Sequence, residues 1–137
     1  MGKFGNTVLD TPFDTNGFAI NESYATVASH ATTSAIWAAD GNIINFTGAE
    51  TITDFPAADR AGARRVLICA GATVFTHAGN ITVQGAATYT ASAGDEITIT
   101  ATTTTAFRVA IKKTNGEAVV SSGGGGGADY IANQVFS

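Results

Sequence analysis

Apolar and polar residues alternate along most of this chain with a period of two. In "EITIT", Ile97 and Ile99 fall on one side and Thr98 and Thr100 on the other. In "FRVAIK", Phe107, Val109 and Ile111 share a side opposite Arg108 and Lys112. Such alternation is the mark of a strand with one face turned inward. Shorter runs of the same kind ("NIINF", "ETITDF", "RRVLIC", "TVFTH", "ITV", "TYTA") are separated by turn residues: "TG", "PAADRAGA", "AGA", "AGN", "QGAA" and "SAGD". Asn115-Gly116 in "TNGE" is suited to positive φ at a turn, with Val119 and Val120 expected as a return strand. The best helix candidate, "SYATVASHATTSAIWAA", is dense in Ser and Thr and is read as extended.

The pattern predicts an all-β fold: short antiparallel strands in a sandwich or β-roll-like module, with extended N- and C-terminal arms. Residues 1–40 form an arm and lead-in strands, 41–121 the β-module, and 122–137 a glycine tether with a docking arm. Gly123 to Gly127 pack nothing by themselves and read as a tether. Beyond them Tyr130, Ile131, Val135 and Phe136 are apolar anchors for another surface. Phe4, Val8, Leu9, Phe13 and Phe18 make the N-terminal segment a second candidate arm.

Charge changes this picture. Only 13% of residues are charged, about half the usual share. Between Val66 and Phe107 the charged residues are Asp95 and Glu96 alone. A sheet with one solvated face normally carries more, so the second face, rich in Thr and Ala, is expected to meet neighbouring copies. The net charge of −4 disfavours nucleic acid as partner. The clusters Arg60, Arg64, Arg65 and Arg108, Lys112, Lys113 lack interleaved aromatics and read as solvated edges or intersubunit salt bridges. No run approaches the ~20 apolar residues of a membrane-spanning helix, so no membrane partner is expected.

Candidate chemistry is sparse. His30 and His77 stand far apart in sequence, and the metal spacings H-x-H, H-E-x-x-H and C-x-x-C do not occur. The single cysteine, Cys69, lies in an apolar run that predicts a raised thiol pKa and an inert side chain. The five glycines are not followed by the Lys and Ser/Thr of a phosphate loop. Asp95 and Glu96 are adjacent and would point to opposite faces, a poor acid/base pair. Asp95 is expected to accept backbone N–H bonds in its turn. His77, at a strand end, is expected to be structural, bonded to a backbone carbonyl or a neighbouring Thr. No catalytic residue, cofactor or metal is expected.

The run from about Ile52 to Ile111 resembles a β-rich module of bacteriophage tail fibres and related virion proteins. The likeness rests on Arg65 to Ile68, Gly71-Ala72, the Thr73, Thr76, His77 pattern, the Gly94-Asp95 turn and Phe107 to Val109. "INFTGAETIT" resembles its lead-in. Gln84 stands where Pro is frequent and Phe107 where Trp is frequent. The resemblance implies a trimeric virion component. A single module with two arms suits a capsid decoration (cement) protein, whose partners are its own copies and the major capsid protein or another virion protein. A small tail-fibre, head-fibre or tail-tip protein that binds a host receptor is the alternative. His77, Asp95 and Phe107 are its structural or interface candidates, beside the four C-terminal anchors.

Overall fold

A computed structural model describes residue 17 and residues 22–31 and 34–119. The C-terminal anchors Tyr130, Ile131, Val135 and Phe136, the glycine tether and the N-terminal apolar residues lie outside the described residues. The alternating runs become nine strands: β1 Tyr24–Ala28, β2 Ile43–Thr47, β3 Thr51–Ile52, β4 Arg64–Cys69, β5 Val74–Phe75, β6 Ile81–Val83, β7 Tyr89–Thr90, β8 Glu96–Ala101 and β9 Phe107–Lys112. The protein is all-β. One sheet has six strands in the order β1-β2-β4-β8-β9-β6, the other three in the order β3-β5-β7.

The pairing is mixed, where antiparallel strands were expected. β1–β2, β2–β4, β3–β5 and β6–β9 are parallel. β4–β8, β5–β7 and β8–β9 are antiparallel. The reason is the use made of the glycines. A glycine corner after β2 carries the chain from the large sheet into β3 of the small one, and a second after β4 carries it into β5. The chain therefore coils like a β-roll and returns to each sheet in the same direction. Ile43 pairs with Val66 and Thr51 with Val74, both 23 residues apart, so the two coils stack without slippage.

The corners stack as well. The Ala70 N–H donates to Phe46 O at 2.9 Å and the Val74 N–H to Glu50 O at 3.0 Å. A Cβ on Gly71 would stand 3.0 Å from Gly48 O, and one on Gly48, at φ +93°, would stand 2.5 Å from Ser29 Oγ. A side chain at Gly48 would be strained by the positive φ and crowd the Ser29 hydroxyl, and one at Gly71 would press on Gly48 O. The stack ends where β7 and β8 reverse direction and pair antiparallel with β5 and β4.

The two sheets enclose the core. Phe46, Ile44, Ile52, Leu67, Phe75, Ile97 and Ile99 are fully buried, and Phe46 stacks on Phe75 with centroids 6.3 Å apart. Phe107 joins a second aromatic group, 5.9 Å from Trp37 and edge-on to Phe55 at 5.5 Å. After the turn at Gly116 (φ +80°) the chain to Val119 forms no strand, although one was expected. Val119 instead packs against the core.

Candidate interaction face and buried carboxylate

The alternation that fills the core fixes what the large sheet shows on its other side. Register places Tyr24, Ile43, Val66, Thr98 and Ala110 in one row across five strands. This row carries no charge. Beside it runs Thr26, Asn45, Ile68, Glu96 and Lys112. On its other flank lie Arg64, Thr100, Arg108 and Thr82. Ile43, Val66 and Ile68 are half-buried outside the core cluster, and Tyr24 at 64% is the exposed large hydrophobic among the described residues.

Asp95 sits in the turn before β8 and is 1% exposed. Its Oδ2 accepts from the Tyr89 hydroxyl and from the Ser92 N–H at 2.8 Å, and its Oδ1 accepts from the Thr114 N–H at 2.8 Å. Backbone N–H acceptance was expected from the turn; the tyrosine partner was not. Burial pushes the carboxyl up, but the Ser92 N–H, Tyr89 hydroxyl, Thr114 N–H and Lys113 charge outweigh it, and the group is held below its ordinary range. Burial, with the hydrogen bond to and charge of Asp95, raises the Tyr89 hydroxyl. Burial and the Asp95 charge push the Cys69 thiol up to about 12, which keeps it protonated at neutral pH. The carboxylate thus ties the strand-β8 turn to the segment after β9.

His77 is half-buried between β5 and β6. Its backbone N–H donates to Thr88 Oγ1 at 3.1 Å, a bond that does not involve the ring. Among the described residues the ring bonds no carbonyl; Nδ1 accepts from the Val83 N–H at 3.0 Å. The ring stands in for a missing ladder acceptor beside β6, and this acceptance requires the tautomer protonated on Nε2. Phe107 is 1% exposed and belongs to the core rather than to an interface.

Arg65 departs furthest from its expected role as a solvated edge. Its Nε donates to Ile36 O at 3.0 Å, Nη2 to Trp37 O at 3.1 Å and Nη1 to Asn42 Oδ1 at 3.3 Å. The guanidinium lies 5.5 Å from the Trp37 ring centroid. It pins the segment between β1 and β2 against β4. Arg64 and Arg65 both lie on β4, as the strand run from Arg64 to Cys69 predicts, while Arg60 precedes it. The lone Trp was the available signal, because guanidinium groups favour indole faces.

Among the described residues, no three of His, Cys, Asp and Glu gather to hold a metal ion. A cavity of about 400 Å³ is lined by Glu22, Asn42, Arg64, Arg65 and Val66, at the margin of the uncharged row. Comparison with protein-family models, curated proteins and solved structures gives no match. What the arrangement offers chemically is a sheet face whose central row is uncharged.

Proposed function

We propose that this protein is a non-enzymatic bacteriophage virion component, a homotrimeric capsid decoration (cement) protein on the shell exterior. The observation that carries the reading is the uncharged row of Tyr24, Ile43, Val66, Thr98 and Ala110 on the outer face of a β-roll. Neutral surface of this kind is suited to stable contact with other chains. The resemblance of Ile52 to Ile111 to virion modules gives that contact its setting. Binding only to the assembled shell stabilises it by mass action, against the pressure of packaged DNA. The partners are further copies of the chain and the major capsid protein or another virion protein. The inert Cys69 thiol and the structurally engaged His77 support the non-enzymatic part of the reading.

The second reading, a small tail-fibre, head-fibre or tail-tip protein that binds a host receptor, is favoured by one observation, the exposed ring of Tyr24. Quantitative mass spectrometry of purified virions separates the two. A copy number comparable to that of the major shell protein is expected. A handful of copies per particle moves the protein to the tail, and absence from the particle removes both readings.

A further inference from the structure

We infer, independently of the virion reading, that the chain's own N-terminal segment, from Gly2 to Phe13, adds one more coil to the stack by pairing along the open edge of β1. The two edges of the six-stranded sheet differ. β6 turns four backbone groups away from β9, and each is bonded locally. The Ile81 N–H donates to Ala78 O at 3.0 Å, and Ile81 O accepts from the Ala78 N–H at 3.2 Å. The Val83 N–H donates to the His77 ring, and Val83 O accepts from the Ala86 N–H at 2.9 Å. On β1, the Ser29 N–H donates to Thr47 O and Ser23 O accepts from the Ile43 N–H. By the alternation of a parallel ladder, the N–H and C=O groups of Tyr24, Thr26 and Ala28 therefore point to the free side. Among the described residues these groups have no partner. The core is open on the same side. Ile44, Phe46, Leu67 and Cys69 are buried, whereas Ala25 and Val27, in register with them on β1, are half-buried. An uncharged edge of this kind is a template for one more strand.

The residues before β1 keep the phase of the coils. A step of 23 residues, the one that relates Ile43 to Val66, carries Phe4 onto Val27 and Asn6 onto the corner residue Ser29. The same step carries Val8 onto Ala31, whose carbonyl accepts from the Thr53 N–H beside β3, and Phe13 onto the buried Ile36. Val27 is in register with Phe46 and Phe46 with Cys69, so Phe4 falls on a core position of the repeat. The same interval separates Phe4 from Phe13, Val27 from Ile36 and Phe46 from Phe55. Lys3 falls in the outward column of Thr26, Asn45 and Ile68, and a lysine on the new edge discourages further pairing. The connection from this segment to β1 has the length of the one from β2 to β4, which already joins adjacent strands of the stack. The occupant of the edge is therefore this chain rather than a second copy.

The test uses the full chain carrying Lys3→Cys and Thr26→Cys. Adjacent strands set these Cα atoms about 4.8 Å apart, within disulfide reach, and the native Cys69 is buried. Mild oxidation and peptide mapping are expected to show a disulfide between positions 3 and 26 of one chain. It should form at least tenfold faster than in the control pair Lys3→Cys with Ala28→Cys, which the register sets too far apart. Hydrogen exchange gives a second readout. The Thr26 and Ala28 amides should exchange at least tenfold more slowly in the unmodified chain than in one carrying Phe4→Asp and Phe13→Asp, while the amides of β8 and β9 keep their rates. If the doubly substituted chain does not fold, the cysteine pairs decide. A disulfide that joins two chains seats the segment on another copy and overturns the proposal. Equal rates for the two cysteine pairs overturn it, as do Thr26 and Ala28 amides indifferent to the phenylalanine substitutions.

Discussion

Asp95→Ala is the most informative single change in this molecule. The carboxylate is 1% exposed and accepts three hydrogen bonds, from Ser92, Thr114 and Tyr89. A hydrogen bond to a charged group contributes about 1.5–3 kcal/mol, and three that share one acceptor are not additive. Removing the carboxylate also relieves its own burial, and the exposed Ser92 and Thr114 segments regain water for their N–H groups. The net loss is therefore set at about 3–4 kcal/mol, a large share of the ~5–15 kcal/mol that stabilises a domain. Urea unfolding at pH 7, followed by the fluorescence of Trp37, the single tryptophan, reads it directly. The sign of the pH dependence follows from the lowered carboxyl pKa. The contribution is complete above the unfolded value of about 3.9 and fades as pH falls through the lower folded value. The unmodified protein should therefore lose stability below about pH 4 more steeply than Asp95→Asn does. A loss under ~1 kcal/mol for Asp95→Ala at pH 7, or parallel acid profiles, would refute the tie assigned to this carboxylate.

Other changes test neighbouring claims. Tyr89→Phe removes one of the three bonds and should cost about 1–2 kcal/mol in the same urea assay; because the Tyr89 hydroxyl is raised, its contribution should persist to about pH 10 and fall above that. Arg65→Lys keeps the charge but loses the planar fork that reaches Ile36, Trp37 and Asn42 together, and should lower stability by about 1–2 kcal/mol. Cys69 should react with a thiol reagent at neutral pH only after denaturant is added, since its thiol is buried and raised to about 12; stoichiometric labelling of the native protein would contradict this. Ala86 adopts φ +55°, so Ala86→Gly should raise the melting temperature slightly, by the equivalent of about 0.5 kcal/mol.

Burial was legible in the sequence because side-chain alternation and burial are the same physical fact. The split of Ile97 and Ile99 from Thr98 and Thr100, and of Phe107, Val109 and Ile111 from Arg108 and Lys112, appears unchanged in the sheet. Strand direction was not legible. "TG" before β3 and "AGA" before β5 carry the composition of hairpin turns, yet here they turn corners between sheets, and composition does not encode that difference. The spacing of Ile43 from Val66 and of Thr51 from Val74 was present, but the residues that repeat are alike only in burial, which hides the period. At the carboxylate, the Ser92 bond is local, three residues away, and followed from the turn. The Thr114 bond spans 19 residues and depends on β8 and β9 pairing first, so only the fold reveals it. Arg65 escaped because its acceptors are backbone carbonyls of Ile36 and Trp37, which any residue type supplies.

The stacked coils also make this architecture extensible. The corner column of Ser29, Gly48 and Gly71 disfavours larger side chains, and the strands on either side of it hold their register by burial and by backbone bonds between successive coils. Another 23 residues with a small corner residue and matching alternation, inserted between β3 and β4, would add one more storey of about 4.8 Å. The antiparallel lid of β7 and β8 would close the longer stack as it closes this one, because it reads only the last coil beneath it. Height can then change by descent in whole storeys while the lid, with its anchored carboxylate, stays as it is.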